Sequence, residues 1–399
     1  MSDSSFQIPD LLSLTRGFEL RTNRHCRSVV EASDHWLMNL NNEAEAEVLA
    51  EDEVQRVPGL KTGLLASLCF PTCDSPQLRL AADFIGLLLI SNERVKKGQT
   101  ESFEWDMSSE DADPWGRTGF VELLESHSLF KHLVPRISRL KSVTTPRWQK
   151  QFTASLLALR DAQFRAIKYL QNNTILVVDD YVDFSRDLSG LRAVFDLVES
   201  SEGLNLDLTE MRLDDADDLR MLRRFAAEFI SISFDIFSFN KDQLAGSKLN
   251  AVEVLMAQRD LSIQSAINDA GHLASDKFDA FKSLEAALWS RHPREDSDVV
   301  PASGIKEKNA SLGATLTTWI RSPLSRSNSR TNLAALYSAS EATKWDTNTV
   351  NDASLFLQGL KDCMGGSLNW GYESELFFGT KGEAVRNFGW IFLSQSQKS

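Results

Sequence analysis

Apolar residues recur at steps of three and four along most of this 399-residue chain. That spacing places them on one face of an α-helix. The segments that carry it are 61–68, 77–90, 119–140, 148–170, 191–198, 217–244, 249–273 and 352–366. The best strand candidate, TILVVDD at 174–180, has no repeating strand–helix units around it, so we interpret it as a loop leading into the next helix. The pattern predicts an all-α protein, and a hydrophobic content of 42% is ample for its core.

Charge and composition exclude several classes of partner. A net charge of −13 argues against nucleic acid or an anionic membrane as the main partner. The start, MSDSSFQIPDLLSL, lacks a basic segment followed by an apolar one, and the longest apolar run, 84–90, is too short to span a bilayer. We therefore expect a cytoplasmic protein without a signal peptide or membrane span. Its four cysteines lack zinc spacing and are expected to be reduced structural thiols.

The segment 294–346 differs from the rest in being rich in Ser, Asn, Thr and Arg, with poor periodicity. We predict a flexible insertion there. A phosphorylated or partner-binding tail is the alternative. Residues 1–293 would then form the first part of one helical domain, and residues 347–399 would complete it.

The literal spacing DDxxD occurs once, as DDADD at 214–218. Carboxylates at i, i+1 and i+4 on a helix can hold Mg²⁺ for a diphosphate. Arginines flank this segment, and acidic residues also favour the first turn of a helix. We interpret DDADD as a solvated helix start.

A second acidic pattern lies in FDIFSFNKDQ at 234–243. Asp235, Ser238 and Asp242 stand at i, i+3 and i+7, which places three oxygen ligands for one Mg²⁺ on one helix stripe. Phe234 stands where an amide or carboxylate would complete such a site. In ADFIGLLLISNERVKKG at 82–98, a long apolar helix ends in Asn92, Glu93 and Lys96, which alone would be an ordinary helix C-terminus.

Together these stretches resemble the fungal class I terpene synthases of the sesquiterpene synthase type. The resemblance covers nearly the whole chain. It is carried, in order, by PDLLSL with the region of Trp36, GLLASLCFP with LRLAADFIGLLL, DYVDFSRDLSG, SFDIFSFNKDQLAG and NWGYESELFFG. It implies an α-helical bundle around a central apolar cavity. It also implies chemistry that begins when Mg²⁺ ions and basic side chains ionise farnesyl diphosphate.

The chain departs from the family pattern at the metal and diphosphate positions. Where the family has Asp-(Asp/Glu)-x-x-Asp, this chain has Asn92, Glu93 and Lys96. Phe234 replaces the leading Asn of the second motif, Asp242 replaces a Glu, and Leu376–Phe377 replaces an Arg-Tyr pair that holds the diphosphate. Each lost charge-assisted contact costs about 1.5–3 kcal/mol. We therefore expect no metal and no cofactor; under the alternative, Mg²⁺ would bind Asp235, Ser238 and Asp242.

The resemblance assigns roles to the residues that remain. The predicted catalytic residues are Asp235 as general acid or base, Arg186, Asp242 and Glu93, the last pairing with Lys96 or assisting proton transfer. Arg186 and Lys241 would hold an anionic or carbonyl group. The predicted substrate contacts are Asn92, Ser189, Gly190, Phe234, Phe237, Ser238, Lys241, Trp370, Tyr372 and Phe377. Plain core packing is the alternative interpretation of the aromatic residues.

Three functions remain open at this stage. The first is an enzyme that accepts a neutral or preformed terpenoid for cyclisation, rearrangement, elimination or C–N/C–O bond formation, without efficient Mg²⁺-dependent ionisation. The second is a weakened Mg²⁺-dependent sesquiterpene cyclase. The third is a non-catalytic protein that binds a terpenoid. The partner expected in each case is a small terpenoid, and a homodimer is left open.

Overall fold

The computed structural model describes residues 5–43, 47–99, 105, 119–293 and 345–393, and these residues are almost entirely helical. The α-helices are α1 Leu11–Leu14, α2 Cys26–Met38, α3 Leu40–Glu43, α4 Glu51–Leu60, α5 Thr62–Cys69, α6 Ser75–Lys96, α7 Phe120–Glu125, α8 Val134–Ile137, α9 Leu140–Val143, α10 Pro146–Gln171, α11 Val178–Leu188, α12 Leu191–Ser201, α13 Leu213–Leu244, α14 Ala251–Arg259, α15 Ile263–Arg291, α16 Thr347–Glu373, α17 Glu375–Phe378 and α18 Gly382–Phe388. Short 3₁₀ turns span Phe130–Leu133 and Gly379–Lys381. The strands β1 Ser5–Gln7 and β2 Trp390–Phe392 form an antiparallel ribbon. The predicted all-α fold is confirmed.

Helix α13 is the central element of the bundle. It packs against α11, α14, α15 and α16, while α5 packs against α6 and α16. Its middle turns are buried nearly all round, as shown by Phe229, Ile232, Ile236 and Phe239, each no more than 1% exposed. A helix that is buried on every side runs through the core of a protein. Polar side chains on α13 therefore sit in an environment where they need partners.

The helices that surround α13 begin where the sequence provides caps. The carboxylate of Asp74 accepts a hydrogen bond from the Gln77 backbone at the start of α6, and the Gln77 side chain accepts one from the Asp74 backbone. Asp346 caps α16 in the same way, through the backbone N–H of Thr349. Such caps satisfy N–H groups that the first turn leaves unpaired. They fix where α6 starts and therefore where its last turn falls.

Two predicted helices are broken. Segment 119–140 was predicted as one helix but forms α7, a 3₁₀ turn and α8 before α9 begins. Pro135 lies in the first turn of α8 and lacks the backbone N–H that would join α8 to the preceding 3₁₀ turn as one continuous helix. Segment 249–273 divides into α14 and α15, because Asp260 takes a left-handed backbone conformation with φ of 52° and Ser262 caps the next helix. The other predicted helices are present. Of the loop predicted at 174–180, residues 174–177 form a loop into α11, whereas 178–180 are the first turn of that helix.

The predicted insertion, 294–346, lies outside the described residues except for its last two positions. There Trp345 stacks on His292 with ring centroids 4.1 Å apart, and Asp346 caps α16. The division into 1–293, 294–346 and 347–399 stays a prediction. Among the described helices, none is both long and apolar enough to cross a membrane.

Candidate active site

A cavity of about 130 Å³ lies among α5, α6, α11, α12, α13, α16 and α17. Its walls are mainly aliphatic and aromatic, as the fold predicted from the sequence requires. The apolar lining residues are Leu65, Ile85, Leu88, Leu89, Leu188, Leu191, Val194, Phe234, Leu376 and Phe377. Charged side chains line the cavity too, and all of them come from the C-terminal turns of α6 and α13. The cavity therefore has an apolar body and one ionic end.

Lys96 is the central group of the ionic end. Its Nζ lies 3.1 Å from Oδ1 of Asp235 and 3.0 Å from Oδ2 of Asp242. The two carboxylates are 6% and 4% exposed, and the lysine side chain is 24% exposed. Lys96 comes from α6 and both acids from α13, so this bridge joins the two helices that carry the acidic motifs. The ammonium takes the position between two carboxylates that a bound cation would need.

Further donors complete the coordination of both carboxylates. The Tyr181 hydroxyl donates to Oδ2 of Asp235 at 2.7 Å, and the backbone N–H of Ala251 donates to the same oxygen at 3.1 Å. Oδ2 of Asp242 accepts from the Ser238 hydroxyl at 2.6 Å and from the Asn250 amide at 3.0 Å. A carboxylate offers about four lone-pair positions. Asp235 receives three protein donors over its two oxygens, whereas the three donors to Asp242 all contact Oδ2.

The two carboxylates differ in their titration. Burial raises the pKa of Asp235, although the Lys96 charge and the Tyr181 hydrogen bond oppose that shift. Burial acts in the same direction on Asp242, but Lys96, Lys241 and the hydrogen bonds from Ser238 and Asn250 outweigh it and lower its pKa. Paired acids whose pKa values are pushed apart can divide proton-donor and anionic roles. Asp235 is the member of the pair suited to carry a proton.

Lys96 itself stays charged. Burial would lower its pKa, but the carboxylates of Asp242 and Asp235 outweigh burial and raise the pKa above the ordinary value of 10.5. Tyr181 stays protonated, since burial and the nearby carboxylate of Asp235 raise its pKa well above 10.0. The cluster at neutral pH therefore contains a fixed positive charge and a neutral phenol.

Glu93 forms a second ion pair next to the first. Its Oε1 lies 2.7 Å from Nζ of Lys241, and its Oε2 lies 2.8 Å from Nη1 of Arg56. Burial would raise the Glu93 pKa, but Lys241 and Arg56 hold it below its ordinary value. The Glu93–Lys96 pair predicted as one role for Glu93 is not what the structure shows: Glu93 pairs with Lys241 and Arg56, and Lys96 pairs with the two acids of α13. Arg56, on α4, carried no sequence signal.

These residues do not fit a Mg²⁺ ion of the kind the family pattern implies. Mg²⁺ needs near-octahedral oxygen ligands at about 2.0–2.1 Å. Here an ammonium lies between the two acids, and Phe234 contributes a ring that contacts Trp370 and Phe377 at centroid distances of 5.7 and 5.2 Å. Within the described ranges, no three or more His, Cys, Asp or Glu side chains are grouped closely enough to hold a metal.

The structure brings together most of the predicted site residues. Nine of them line the cavity: Asn92, Glu93, Ser189, Phe234, Asp235, Ser238, Lys241, Asp242 and Phe377. Asn92 accepts a hydrogen bond from Gln163 at 3.3 Å. Gly190 follows α11 with φ of 69°, and a side chain there would meet Leu88 at 2.6 Å, so glycine is needed where the chain turns beside the cavity.

Gly190 and four other predicted residues do not line the cavity. Arg186 was expected to hold a substrate anion, but its Nη1 lies 2.8 Å from Asp183 and 3.1 Å from Glu228, which neutralise it away from the cavity. Phe237 is fully buried, and the Trp370 indole donates to the backbone of Leu60 at 2.8 Å.

The Tyr372 ring packs against Phe237, with the ring centroids 4.9 Å apart. For these three rings the alternative interpretation, core packing, describes what the structure shows.

The sequence did not point to Tyr181 and Asn250, both of which contact the acidic pair. Tyr181 stands in the DYVDFSRDLSG element, where Arg186, Ser189 and Gly190 drew attention instead. Asn250 caps α14 through the backbone N–H of Val252 and also reaches the backbone oxygen of Asp235. Only the approach of α14 to α13 gives it a role in the cluster.

The DDADD segment lies at the other end of α13 and borders no part of the cavity. It is a helix start, as predicted, since α13 begins at Leu213. It is not fully solvated: Asp215 is 1% exposed and lies 3.0 Å from Nε2 of His292, and Arg291 bridges Asp215 and Asp218.

Comparison with known proteins finds similar chains among the terpene synthases. Residues 106–280 match the protein family described as "Terpene synthase family 2, C-terminal metal binding". The chain is 26% identical to "Sesquiterpene synthase 1" of Postia placenta over 95% of its own length and 92% of that protein. It is 25% identical to "Sesquiterpene synthase Agr1" of Cyclocybe aegerita over 95% and 90% of the two chains.

Solved structures show the same fold. The chain matches the crystal structure of α-eudesmol synthase with a TM-score of 0.60, 14% identity, and coverage of 89% of this chain and 96% of the other. For wild-type cucumene synthase the TM-score is 0.55 at 15% identity, with 89% and 98% covered. At such identities the likeness establishes the architecture alone.

Proposed function

Because the chain belongs to the fungal class I terpene synthases, we propose that it uses the family cavity for a neutral or preformed terpenoid, without Mg²⁺-dependent ionisation of a diphosphate. The observation that carries this proposal is the Lys96 ammonium between Asp235 and Asp242. In the family pattern that position of α6 is a carboxylate. A fixed cation there repels a divalent ion and neutralises the acids that would bind it.

The charge balance of the ionic end also disfavours a diphosphate. Three acids, Asp235, Asp242 and Glu93, face three cations, Lys96, Lys241 and Arg56, in direct ion pairs. With Asp235 ionised, these six charges cancel, and with Asp235 protonated they leave a single positive charge, against a leaving group that carries roughly three negative charges. The Arg-Tyr pair expected from the family is Leu376 and Phe377, which add apolar surface.

The same geometry suits proton transfer. Asp235 borders the apolar cavity, is held by Tyr181 and Lys96, and has a raised pKa. In its protonated form it can deliver a proton to a carbon–carbon double bond, and the carbocation formed would lie against the apolar walls of the cavity. Loss of a proton from a neighbouring carbon to the Asp235 carboxylate restores the acid. The net reaction is an isomerisation or cyclisation that needs no co-reactant.

The test is conversion of neutral terpenoids in the absence of a divalent ion. Purified protein would be incubated with farnesol, nerolidol and cyclic sesquiterpene alcohols in EDTA, and products followed by gas chromatography with mass spectrometry. We expect turnover that EDTA does not reduce and that Asp235→Asn abolishes. Asp217→Asn, on the exposed first turns of α13, is the matched control and should keep full activity. Full activity of Asp235→Asn would contradict the assigned role.

A weakened Mg²⁺-dependent sesquiterpene cyclase is the second candidate. The observation in its favour is the match of more than nine-tenths of the chain to proteins named sesquiterpene synthases. It predicts Mg²⁺-dependent release of pyrophosphate from farnesyl diphosphate together with a hydrocarbon product. Tight binding of a terpenoid without turnover of any substrate would favour a non-catalytic binding protein instead.

A further inference from the structure

The hydroxyl oxygen of Ser231 is buried and has no hydrogen-bond partner in the described part of the chain. The residue is 6% exposed and lines the cavity. Leaving a buried hydroxyl unpaired is unfavourable. A partner is therefore expected from whatever occupies the cavity.

Ser233, two residues further along α13, shows what a buried serine in this helix does when no ligand is needed. Its Oγ donates to the backbone carbonyl of Phe229 at 2.7 Å, the usual bond to the residue four positions earlier. Ser231 stands in the same helix but makes no such bond. The free hydroxyl is thus a property of the cavity-lining face of α13 rather than of serine in a helix.

The position of Ser231 relates it to the ionic end. Asp235, Ser238 and Asp242 follow Ser231 along α13 by four, seven and eleven residues, and all four side chains line the cavity. Residues four apart on a helix are neighbours on one face, with Cβ atoms about 5–6 Å from each other. A molecule bonded to Ser231 would therefore lie one helical turn from Asp235 and would reach it without leaving the apolar body.

We propose that Ser231 hydrogen-bonds an oxygen atom of the substrate, and that the substrate is therefore an oxygenated terpenoid, an alcohol or a carbonyl compound, rather than a hydrocarbon. This inference rests on the proposed use of a neutral terpenoid and narrows its class. Ser231 fixes the oxygenated end of the molecule, and the remaining hydrocarbon portion lies against Leu88, Leu188 and Phe234. A neutral hydroxyl suits a neutral partner, since charge-assisted contacts are supplied only by the ionic end.

The test compares two linear fifteen-carbon probes that differ in oxygen content, farnesol and β-farnesene. Their dissociation constants would be measured by quenching of tryptophan fluorescence for the native chain, Ser231→Ala and Ser233→Ala. One hydrogen bond between neutral groups corresponds to about a 3- to 10-fold change in affinity. We expect Ser231→Ala to weaken the binding of farnesol by that factor and to leave the affinity for β-farnesene unchanged. Ser233→Ala should leave the ratio of the two affinities as it is in the native chain.

The outcomes distinguish failure of the role of Ser231 from failure of the proposed function. If both probes bind and Ser231→Ala leaves their affinity ratio unchanged, the role of Ser231 is wrong, while a neutral terpenoid ligand stands. If neither probe binds and farnesyl diphosphate binds only with Mg²⁺, the proposed function and the inference both fall. A loss of affinity for both probes by the same factor would show a packing effect and would also overturn the inference.

Discussion

Helix α13 carries an acidic cluster at each end, and the two clusters differ in both their sequence spacing and their structural surroundings. The first, at 214–218, has the literal DDxxD spacing but lies at a helix start, where Arg291 and His292 bind Asp215 and Asp218. The second, Asp235 with Asp242, lacks that spacing but borders the apolar cavity and surrounds Lys96. In each cluster a basic side chain from another helix pairs with the acids, Arg291 of α15 at the first and Lys96 of α6 at the second.

The difference shows that surroundings, not spacing, give an acidic cluster its chemistry. At the first cluster, Asp215 is buried too, but it keeps its contact to His292 when the exposed Arg291 is removed, so the energy at stake is smaller. At the second, two buried carboxylates rely on one lysine, and removing it leaves them uncompensated. The four predictions below would each sharpen or break this contrast.

The largest effect is expected for Lys96→Met. The substitution keeps most of the side-chain length and removes the charge between Asp235 and Asp242, so we expect a loss of about 3–5 kcal/mol in the free energy of unfolding. Denaturant unfolding followed by circular dichroism measures it. Lys97→Met, on the exposed neighbour, is the control and should change stability by less than about 0.5 kcal/mol. Equal, small effects of both variants would show that Lys96 is not the internal counter-ion.

Tyr181→Phe should come second. It removes the hydroxyl that donates to Asp235 at 2.7 Å, a hydrogen bond to a charged group, and should cost about 1.5–3 kcal/mol. Tyr169→Phe is a matched control, because both tyrosines pack against Phe184 while only Tyr181 contacts the acid. The same unfolding measurement applies. A loss for Tyr181→Phe no larger than that for Tyr169→Phe would show that the hydrogen bond to Asp235 does not stabilise the fold.

Arg291→Ala tests the other cluster and should have a smaller effect. The arginine is 39% exposed, so we expect a loss of no more than about 1 kcal/mol, with His292 still bound to Asp215. Turnover or binding of a terpenoid should not change, since this cluster borders no part of the described cavity. Destabilisation equal to that of Lys96→Met would remove the contrast between the two ends of α13.

The smallest expected effect is a change in the free energy of unfolding at alkaline pH. The pKa of Lys96 is raised in the folded chain above its ordinary 10.5. Its contribution to stability is therefore fully present below pH 10.5 and is lost as the pH rises toward the folded value. Between about pH 9.5 and about pH 11, the gap in unfolding free energy between the native chain and Lys96→Met should narrow by less than about 1 kcal/mol.

Tyr181, whose pKa is raised well above 10.0 in the folded chain, also contributes a pH dependence in this range through the unfolded state of both proteins. The difference between the two unfolding free energies, rather than either curve, is therefore the quantity to compare. The difference in unfolding free energy between the native chain and Arg291→Ala should stay constant over this pH range, because no lysine is removed. If the difference in unfolding free energy between the native chain and Lys96→Met widened as the pH rises, it would contradict the raised pKa of Lys96.

The sequence predicted the helices well where apolar spacing was long and regular, as in 148–170 and 217–244, because burial of one face suffices to define such a helix. It missed the breaks at Pro135 and Asp260, where local backbone chemistry overrides the spacing. The stripe of Asp235, Ser238 and Asp242 was predictable for the same reason that the helix was. Its polar neighbours on other helices were not.

The pairing of the charges at the site depends on how α6 approaches α13. Lys96 and Glu93 lie one helical turn apart, and only the packing decides which of them faces Asp235 and which faces Lys241. Arg186 shows the reverse case. The resemblance placed it at the substrate, but Asp183 of the same motif and Glu228, which lies outside every motif, bind it away from the cavity.

The central claim is that an internal ammonium has replaced the divalent ion at this site. The most direct test is pyrophosphate release from farnesyl diphosphate, with Mg²⁺ or with EDTA, by the native chain, Lys96→Asp and the control Lys97→Asp. We predict no Mg²⁺-dependent release by the native chain or by Lys97→Asp. Release should appear in Lys96→Asp, where three carboxylates and Ser238 would face one another, provided that circular dichroism shows it folded. Mg²⁺-dependent release by the native chain that EDTA abolishes would contradict the claim.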